Sequence, residues 1–161
     1  MIRKAKKEDY EKILALNQAD VEMLSPLNKN ILTKMDDLSD IFNIFEVEGE
    51  IAGFIIAFVE NTTYWSDNYK WFLKHYHNFI YIDRIVVDEK FRKKGIARKL
   101  YENIFEYSKN NNLSLVCAEI DIEPEYNYSS INFHKKMGFS QVATRLSKKT
   151  ITVSLQIKKI D

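Results

Sequence analysis

Apolar residues recur along this chain at two spacings, and the spacing changes often enough to lay out alternating strands and helices. After a short first strand near Ile2, the run DYEKILALNQADVEML carries Ile13, Leu14, Leu16, Val21 and Leu24. That pattern suits an amphipathic helix beginning near Asp9. A second short helix is expected over Asn28 to Met35. The stretch NIFEVEGEIAGFIIAFVE is β-rich on both sides of Glu48 and Gly49, so it reads as a hairpin turning there. NFIYIDRIVV is a further strand. Alternation puts Phe79, Tyr81, Asp83, Ile85 and Val87 on one face and Ile80, Ile82, Arg84 and Val86 on the other, so Asp83 and Arg84 are expected to point oppositely. From Gly95 to Asn110, Ile96, Leu100 and Ile104 alongside Ala97, Tyr101 and Phe105 repeat every four residues, the stripe of a packed helix. LSLVCAEIDI supplies another strand, NYSSINFHKKM another helix, and Gln141 to Thr144 and Ile151 to Ile157 the last strands. The expected class is α/β, a mixed central sheet flanked by helices.

Composition narrows what this framework can do. With 161 residues, 45% of them apolar, the chain can bury one sizeable core, and no linker, repeat or low-complexity tract divides it, so a single domain over residues 1–161 is expected. A net charge of +1 lacks the basic excess of a protein that neutralises many phosphates, which argues against nucleic acid as partner. Cys117 is the lone cysteine, excluding an internal disulfide and a cysteine-rich zinc site. The start, MIRKAKKEDY, has no signal-like apolar stretch and no later run reaches membrane-spanning length, so a soluble, cytoplasmic protein without a membrane partner is expected.

One stretch concentrates chemistry. FRKKGIARKL sets Arg92, Lys93 and Lys94 before Gly95 at the start of a helix, in a chain with four glycines. A helix amino terminus has unpaired amides and partial positive charge, and glycine permits close backbone approach, so an anion fits there. A solvated basic turn is the alternative. The run has neither the Gly-Lys-Ser/Thr ending of a nucleoside-triphosphate loop nor the three glycines of a dinucleotide fold.

Arg92-x-x-Gly95-x-Ala97 resembles the Arg/Gln-x-x-Gly-x-Gly/Ala signature of the GNAT superfamily of N-acetyltransferases. NYSSINFHKKMGF, Asn127 to Phe139, follows at the usual distance and looks like the second motif of that family. The likeness covers nearly the whole chain and extends to a less characterised branch of predicted acetyltransferases. It implies a single-domain GNAT fold and an acetyl-CoA-dependent N-acetyltransferase that passes the acetyl group directly to a primary amine of a small molecule or peptide. It further implies that backbone amides across Arg92, Lys93, Lys94, Gly95, Ile96, Ala97 and Arg98 hold the diphosphate. The backbone of Ile85, Val86 and Val87 would pair with the pantetheine arm, and an amide near Val87 would face the thioester carbonyl. A homodimer is compatible with the resemblance, though no interface is legible.

The remaining roles stay open in the sequence. Asn127, Ser130, Ile131 and His134 share one helix face, and Asn127 is readable as a helix cap, as a coenzyme contact, or as both. His134 stands where the family often has a tyrosine proposed to protonate the departing thiolate. An imidazole titrating near about 6.5 is a readier donor than a phenol near about 10, but a ring packed beside the cofactor reads equally well. A lysine-like acceptor amine, of pKa about 10.4, must lose a proton before it attacks. Some family members use a glutamate for this on the strand before the loop. That position here is Tyr81, leaving Asp83 and Glu119 as candidate bases or as structural carboxylates. The aromatic cluster from Tyr64 to Phe79 reads as an acceptor wall or, for most members, as core, with a helix through NYKWFLKHY burying Trp71, Phe72 and Tyr76. His75 and His77 alternate as on one strand face, but two histidines make a poor metal site, and none is expected. Cys117 is expected to pack as a small apolar residue rather than act as a nucleophile. The alternative function is a noncatalytic acyl-CoA-binding or sensing module.

Overall fold

A two-residue turn between strands favours positive φ at both positions, because that backbone twist matches the twist of the strands it joins. Glu48 and Gly49 have φ of 49° and 80°. They join β2, Ile41–Val47, to β3, Glu50–Val59, as the hairpin pattern predicts. The computed structural model describes residues 1–21, 24–147 and 150–161. Its other strands are β1, Ile2–Lys4, β4, Phe79–Val87, β5, Leu115–Glu123, β6, Ser140–Ser147, and β7, Ile151–Lys159. The helices are α1, Tyr10–Ala19, α2, Lys29–Leu38, α3, Asp67–His75, α4, Ile96–Asn110, and α5, Tyr128–Lys136. The strands form a mixed seven-stranded sheet in the order β1-β2-β3-β4-β5-β7-β6.

By contacts the chain resolves into two compact units, Met1–Phe58 with Ile82–Ile104, and Val59–Tyr81 with Phe105–Asp161. In the first, β1 and β3 pair antiparallel with β2, at Ile2↔Phe45 and Phe42↔Ile56. Ile13 and Leu16 of α1, Leu32 and Met35 of α2, and Leu100 and Ile104 of α4 are buried, each the inward stripe of its helix. Arg3 closes this unit by donating to Asp9 at 2.8 and 3.0 Å and to Glu46 at 2.9 Å. The hydrogen bond from Arg3 is the main reason the Asp9 carboxyl lies below its ordinary range.

In the second unit β4 runs parallel to β5, with Phe79 opposite Leu115 and Tyr81 opposite Cys117, and β5 and β6 pair antiparallel with β7. The aromatic stretch is core for the most part. Tyr69, Phe72, Phe79 and Tyr81 are fully buried, and the Tyr69 hydroxyl donates to the Val59 carbonyl at 2.7 Å.

Three sequence expectations change. The first helix stops at Ala19, where i→i−3 bonds from Asp20 to Asn17 and from Val21 to Gln18 tighten the chain out of α geometry. Val21 and Leu24 therefore fall beyond it, and Glu22 and Met23, also within the expected helix, lie outside the described residues. Trp71 and Tyr76 are half-buried rather than core, because α3 turns Tyr69 and Phe72 inward and Trp71 stacks flat on His75 with ring centroids 3.9 Å apart. His75 closes α3, so it shares no strand face with His77, whose Nδ1 meets the Glu60 carboxylate at 2.9 Å.

Gly53 of β3 sets how closely the chain can run beside the end of β4. A Cβ there would stand 2.6 Å from the Val86 carbonyl oxygen and 3.3 Å from Val87 Cα, both backbone atoms that cannot rotate away. Asp88 N donates to the Ala52 carbonyl at 2.8 Å beside it. Gly53→Ala is therefore expected to force these backbones apart at a cost of about 1–3 kcal/mol, measured as a lower denaturant midpoint with an unchanged slope.

Candidate functional site

Between β4 and α4 the chain makes a turn built from its own polar groups. Asp88 caps a short 3₁₀ turn, accepting from Lys90 N at 3.2 Å, while Phe91 N and Arg92 N bond back to Asp88 and Glu89. Lys93 and Gly95 then adopt left-handed φ, 61° and 77°. Among the described residues the next backbone amide to find a backbone acceptor is Lys99, bonded to Gly95 at 3.1 Å. From Lys93 to Arg98 the amides sit at the opening of a helix that cannot supply them with carbonyls. A Cβ at Gly95 would meet nothing within 4 Å, so the glycine serves the backbone angle and the space above it is open. Exposed amides on a turn of this kind, at the positive end of a helix dipole, fit a diphosphate.

The basic residues of the turn are not equivalent. Arg92 is held from two sides: its Nη2 donates to Asp20, just past α1, at 2.9 Å and its Nε to the Val87 carbonyl at 3.3 Å. Arg98 pairs with Glu102 one helical turn on, at 2.8 Å. Lys93 and Lys94 are exposed, and Lys94 Nζ stands 5.3 Å from the centre of the Phe91 ring. Lys12 of α1 bonds Asp88 at 2.9 Å, and that hydrogen bond is the first reason the Asp88 carboxyl lies below its usual range. Leading into the turn, Val86 is buried while Ile85 and Val87 are half-buried. Ile96 is buried and Ala97 half-buried, which anchors the helix start.

Asp83 and Arg84 were expected on opposite faces of β4, yet Arg84 Nε donates to Asp83 Oδ2 at 2.7 Å. An arginine side chain is long enough to fold back along its own strand. Arg84 also reaches Asn17 Oδ1 at 2.9 Å, the Ser25 carbonyl at 3.0 Å and the Ser25 hydroxyl at 2.8 Å. Asp83 is thus engaged by a buried cation, and taking up a proton would strip that cation of its counter-charge. Sequence reading missed Arg84, Asn17 and Ser25 as a group. The available signal was a charged residue at an inward position of an otherwise apolar strand.

The other carboxylate candidate has a different neighbour. Tyr81 on β4 and Glu119 on β5 lie on the same face of two parallel strands, since Tyr81 is opposite Cys117 and Glu119 is two residues on. The Tyr81 hydroxyl donates to Glu119 Oε1 at 2.7 Å and lies 3.5 Å from the Ser66 hydroxyl. The position expected from the resemblance to carry, in some members, a glutamate therefore holds a phenol that grips a carboxylate on the adjoining strand.

On α5, Asn127 is a cap: its Oδ1 accepts from Ser130 N at 3.1 Å. His134, 5% exposed, has Nδ1 at 2.7 Å from the Ser130 carbonyl. A carbonyl only accepts, so the neutral ring carries its proton on Nδ1 and leaves Nε2 as an acceptor. Burial lowers the ring's pKa, and the bond to Ser130 opposes that shift. The charged fraction at neutral pH is accordingly smaller than an ordinary histidine would give. Cys117 is fully buried, and desolvation pushes its thiol far up, so it is not poised as a nucleophile. Among the described residues no group of three or more His, Cys, Asp or Glu could hold a metal, and no helix is long and apolar enough to cross a membrane.

With this geometry in hand, similar proteins can be set beside it. Ard1 from Thermoplasma volcanium superposes with a TM-score of 0.82 at 18% identity, covering 100% of this chain and 97% of its own. The N-acetyltransferase from Staphylococcus aureus Mu50 gives 0.73 at 24% identity, covering 100% and 98%. The yncA structure from Salmonella typhimurium with its cofactor acetyl-CoA gives 0.75 at 16% identity, covering 100% and 94%. Comparison with curated protein sequences finds no match. The sequence model of the Acetyltransferase (GNAT) family matches residues 1–139, a span that contains the hairpin, the glycine turn and the helix of His134, and this chain belongs to that family.

Proposed function

We propose that this chain is a soluble, cytoplasmic, single-domain enzyme that transfers acetyl from acetyl-CoA directly to a primary amine of a small molecule or peptide, with no covalent enzyme intermediate. The observation that carries this reading is the run of amides from Lys93 to Arg98 at the start of α4, without backbone acceptors among the described residues and bent by left-handed φ at Lys93 and Gly95. When bound, acetyl-CoA supplies an acetyl group already activated as a thioester. Those amides would hold its diphosphate, with Lys93 and Lys94 adding charge. The backbone of Ile85 to Val87 would orient the arm, and a donor there, fixed before reaction, stabilises negative charge as it develops on the acetyl oxygen. Asn127 would approach the coenzyme while capping α5.

Proton movement falls to the two remaining groups. Glu119 is favoured over Asp83 as acceptor of the amine proton, because Asp83 is committed to Arg84 while Glu119 is held by a neutral phenol. His134 would bring a proton to the departing sulfur from Nε2. Its lowered pKa means that, once protonated there, the ring gives the proton up readily. The same burial favours a second reading, a noncatalytic acyl-CoA sensor in which His134 only packs.

Calorimetry with acetyl-CoA, followed by CoA thiol release against a panel of polyamines, free amino acids and peptides with free amino termini, separates the two. The peptides belong in the panel because one similar structure, at 14% identity, is named as the ribosomal-protein-S18-alanine N-acetyltransferase from Escherichia coli. Binding with amine-dependent release is expected; binding without release would establish the sensor. Glu119→Gln is expected to lower kcat about 10²- to 10⁴-fold, with coenzyme affinity unchanged by calorimetry; an unchanged kcat would remove Glu119 as base. His134→Phe is expected to slow the chemical step about tenfold to a hundredfold and remove one titration from its pH profile. Stability follows the same sign: below about pH 6.5 the unfolded chain binds a proton at His134 that the folded chain does not. Thermal unfolding should therefore show stability falling as pH drops through that value, and falling less in His134→Phe.

A further inference from the structure

Arg84 is a full cation with 6% exposure, and acetyl transfer as derived above gives it no task. Burying a guanidinium away from water is costly, and an apolar side chain of similar volume would pack a strand at least as well. What a guanidinium does that an apolar group cannot is fix chain that lacks a hydrogen-bond ladder. Ser25 lies in such chain, between the end of α1 and Asn28, the cap of α2, where residues 25–28 have neither helical nor strand structure. Its carbonyl accepts from Arg84 Nη1 at 3.0 Å and from Asn17 Nδ2 at 3.1 Å, and its hydroxyl accepts from Arg84 Nη2 at 2.8 Å. Asn17, also buried, accepts from the same guanidinium at 2.9 Å.

Two weaker ties run the same way. Arg92 in the turn after β4 pairs with Asp20, just past α1, and Asp88 in that turn pairs with Lys12 within α1. Both are partly exposed, where screening reduces their worth, so the buried Arg84 tie is the dominant one. It starts one residue before Ile85, the first of the backbone positions assigned above to the coenzyme.

We propose that Arg84 is a positioning residue: by gripping Ser25 and Asn17 it makes the α1–α2 connection follow the coenzyme strand, so that acetyl-CoA bound along Ile85 to Val87 stiffens residues 24–28. This rests on the acetyl-CoA reading of the preceding subsection. The coupling is one of restricted motion, in which order imposed on the strand is passed to the connection through the guanidinium.

Hydrogen exchange by mass spectrometry on the full chain, with and without saturating acetyl-CoA, tests this in the wild type, Ser25→Ala and Arg84→Lys. Lysine keeps the charge but cannot present the planar fork that spans Asn17 and Ser25. Ser25→Ala removes a single acceptor and leaves the guanidinium its other bonds, so it reports even if Arg84→Lys fails to fold. Acetyl-CoA is expected to slow exchange at residues 24–28 by about fivefold or more in the wild type; Arg84→Lys is expected to remove most of that protection and Ser25→Ala a measurable part of it, while calorimetric Kd stays within about threefold. A purely structural Arg84 would loosen the connection equally with and without coenzyme, and that result overturns the proposal. So does protection that is undiminished by Ser25→Ala, or a wild type that binds acetyl-CoA without protecting residues 24–28. Absence of any binding heat in the wild type would instead sink the acetyl-CoA reading, and this proposal with it.

Discussion

An α-helix cannot satisfy the amides of its own first turn, and among the described residues the amides from Lys93 to Arg98 are given no other backbone partner. Much of the surrounding sequence can be understood as keeping them aimed outward. Left-handed φ at Lys93 and Gly95 bends the chain, buried Ile96 pins the helix start, and Asp88 ends β4 by capping the 3₁₀ turn. On β3, the missing side chain of Gly53 lets the backbone at Val86 come close. None of these residues needs charge to bind an anion, since the donors are main-chain groups. That explains how the site stands in a chain of net charge +1.

The strands and helices were legible because their signals are local. Four-residue apolar spacing marks α4, β-rich runs around Glu48 and Gly49 mark the hairpin, and an asparagine followed nine residues later by lysine and then glycine marks α5. The end of α1 was not legible, because the apolar pattern runs on past Ala19 while the backbone tightens there into i→i−3 bonds, next to Asn17, which Arg84 of a strand far along the sequence holds. The aromatic run also outran local reading. Which rings of α3 face inward depends on the helix phase, and the phase chosen buries Tyr69 and Phe72 while leaving Trp71 to stack on His75.

The candidate site divides in the same manner. The turn proposed to hold the diphosphate could be named from its residues, since helix entry, glycine and neighbouring charge lie within a few positions of one another. The candidate proton-handling groups could be named but not sorted, because sorting depends on partners. Asp83 and Glu119 look alike in sequence. Only the fold gives one a guanidinium and the other a phenol. For His134 the deciding partner is the Ser130 carbonyl one turn back, which fixes the ring's tautomer.

The buried Cys117 has a practical consequence. It sits mid-strand in β5, paired through that strand with both β4 and β7, and it is the sole sulfhydryl of the chain. Alkylating reagents can reach it only when this region of the sheet opens, so the rate of its labelling clocks local unfolding around β5, from a native fold that is chemically silent.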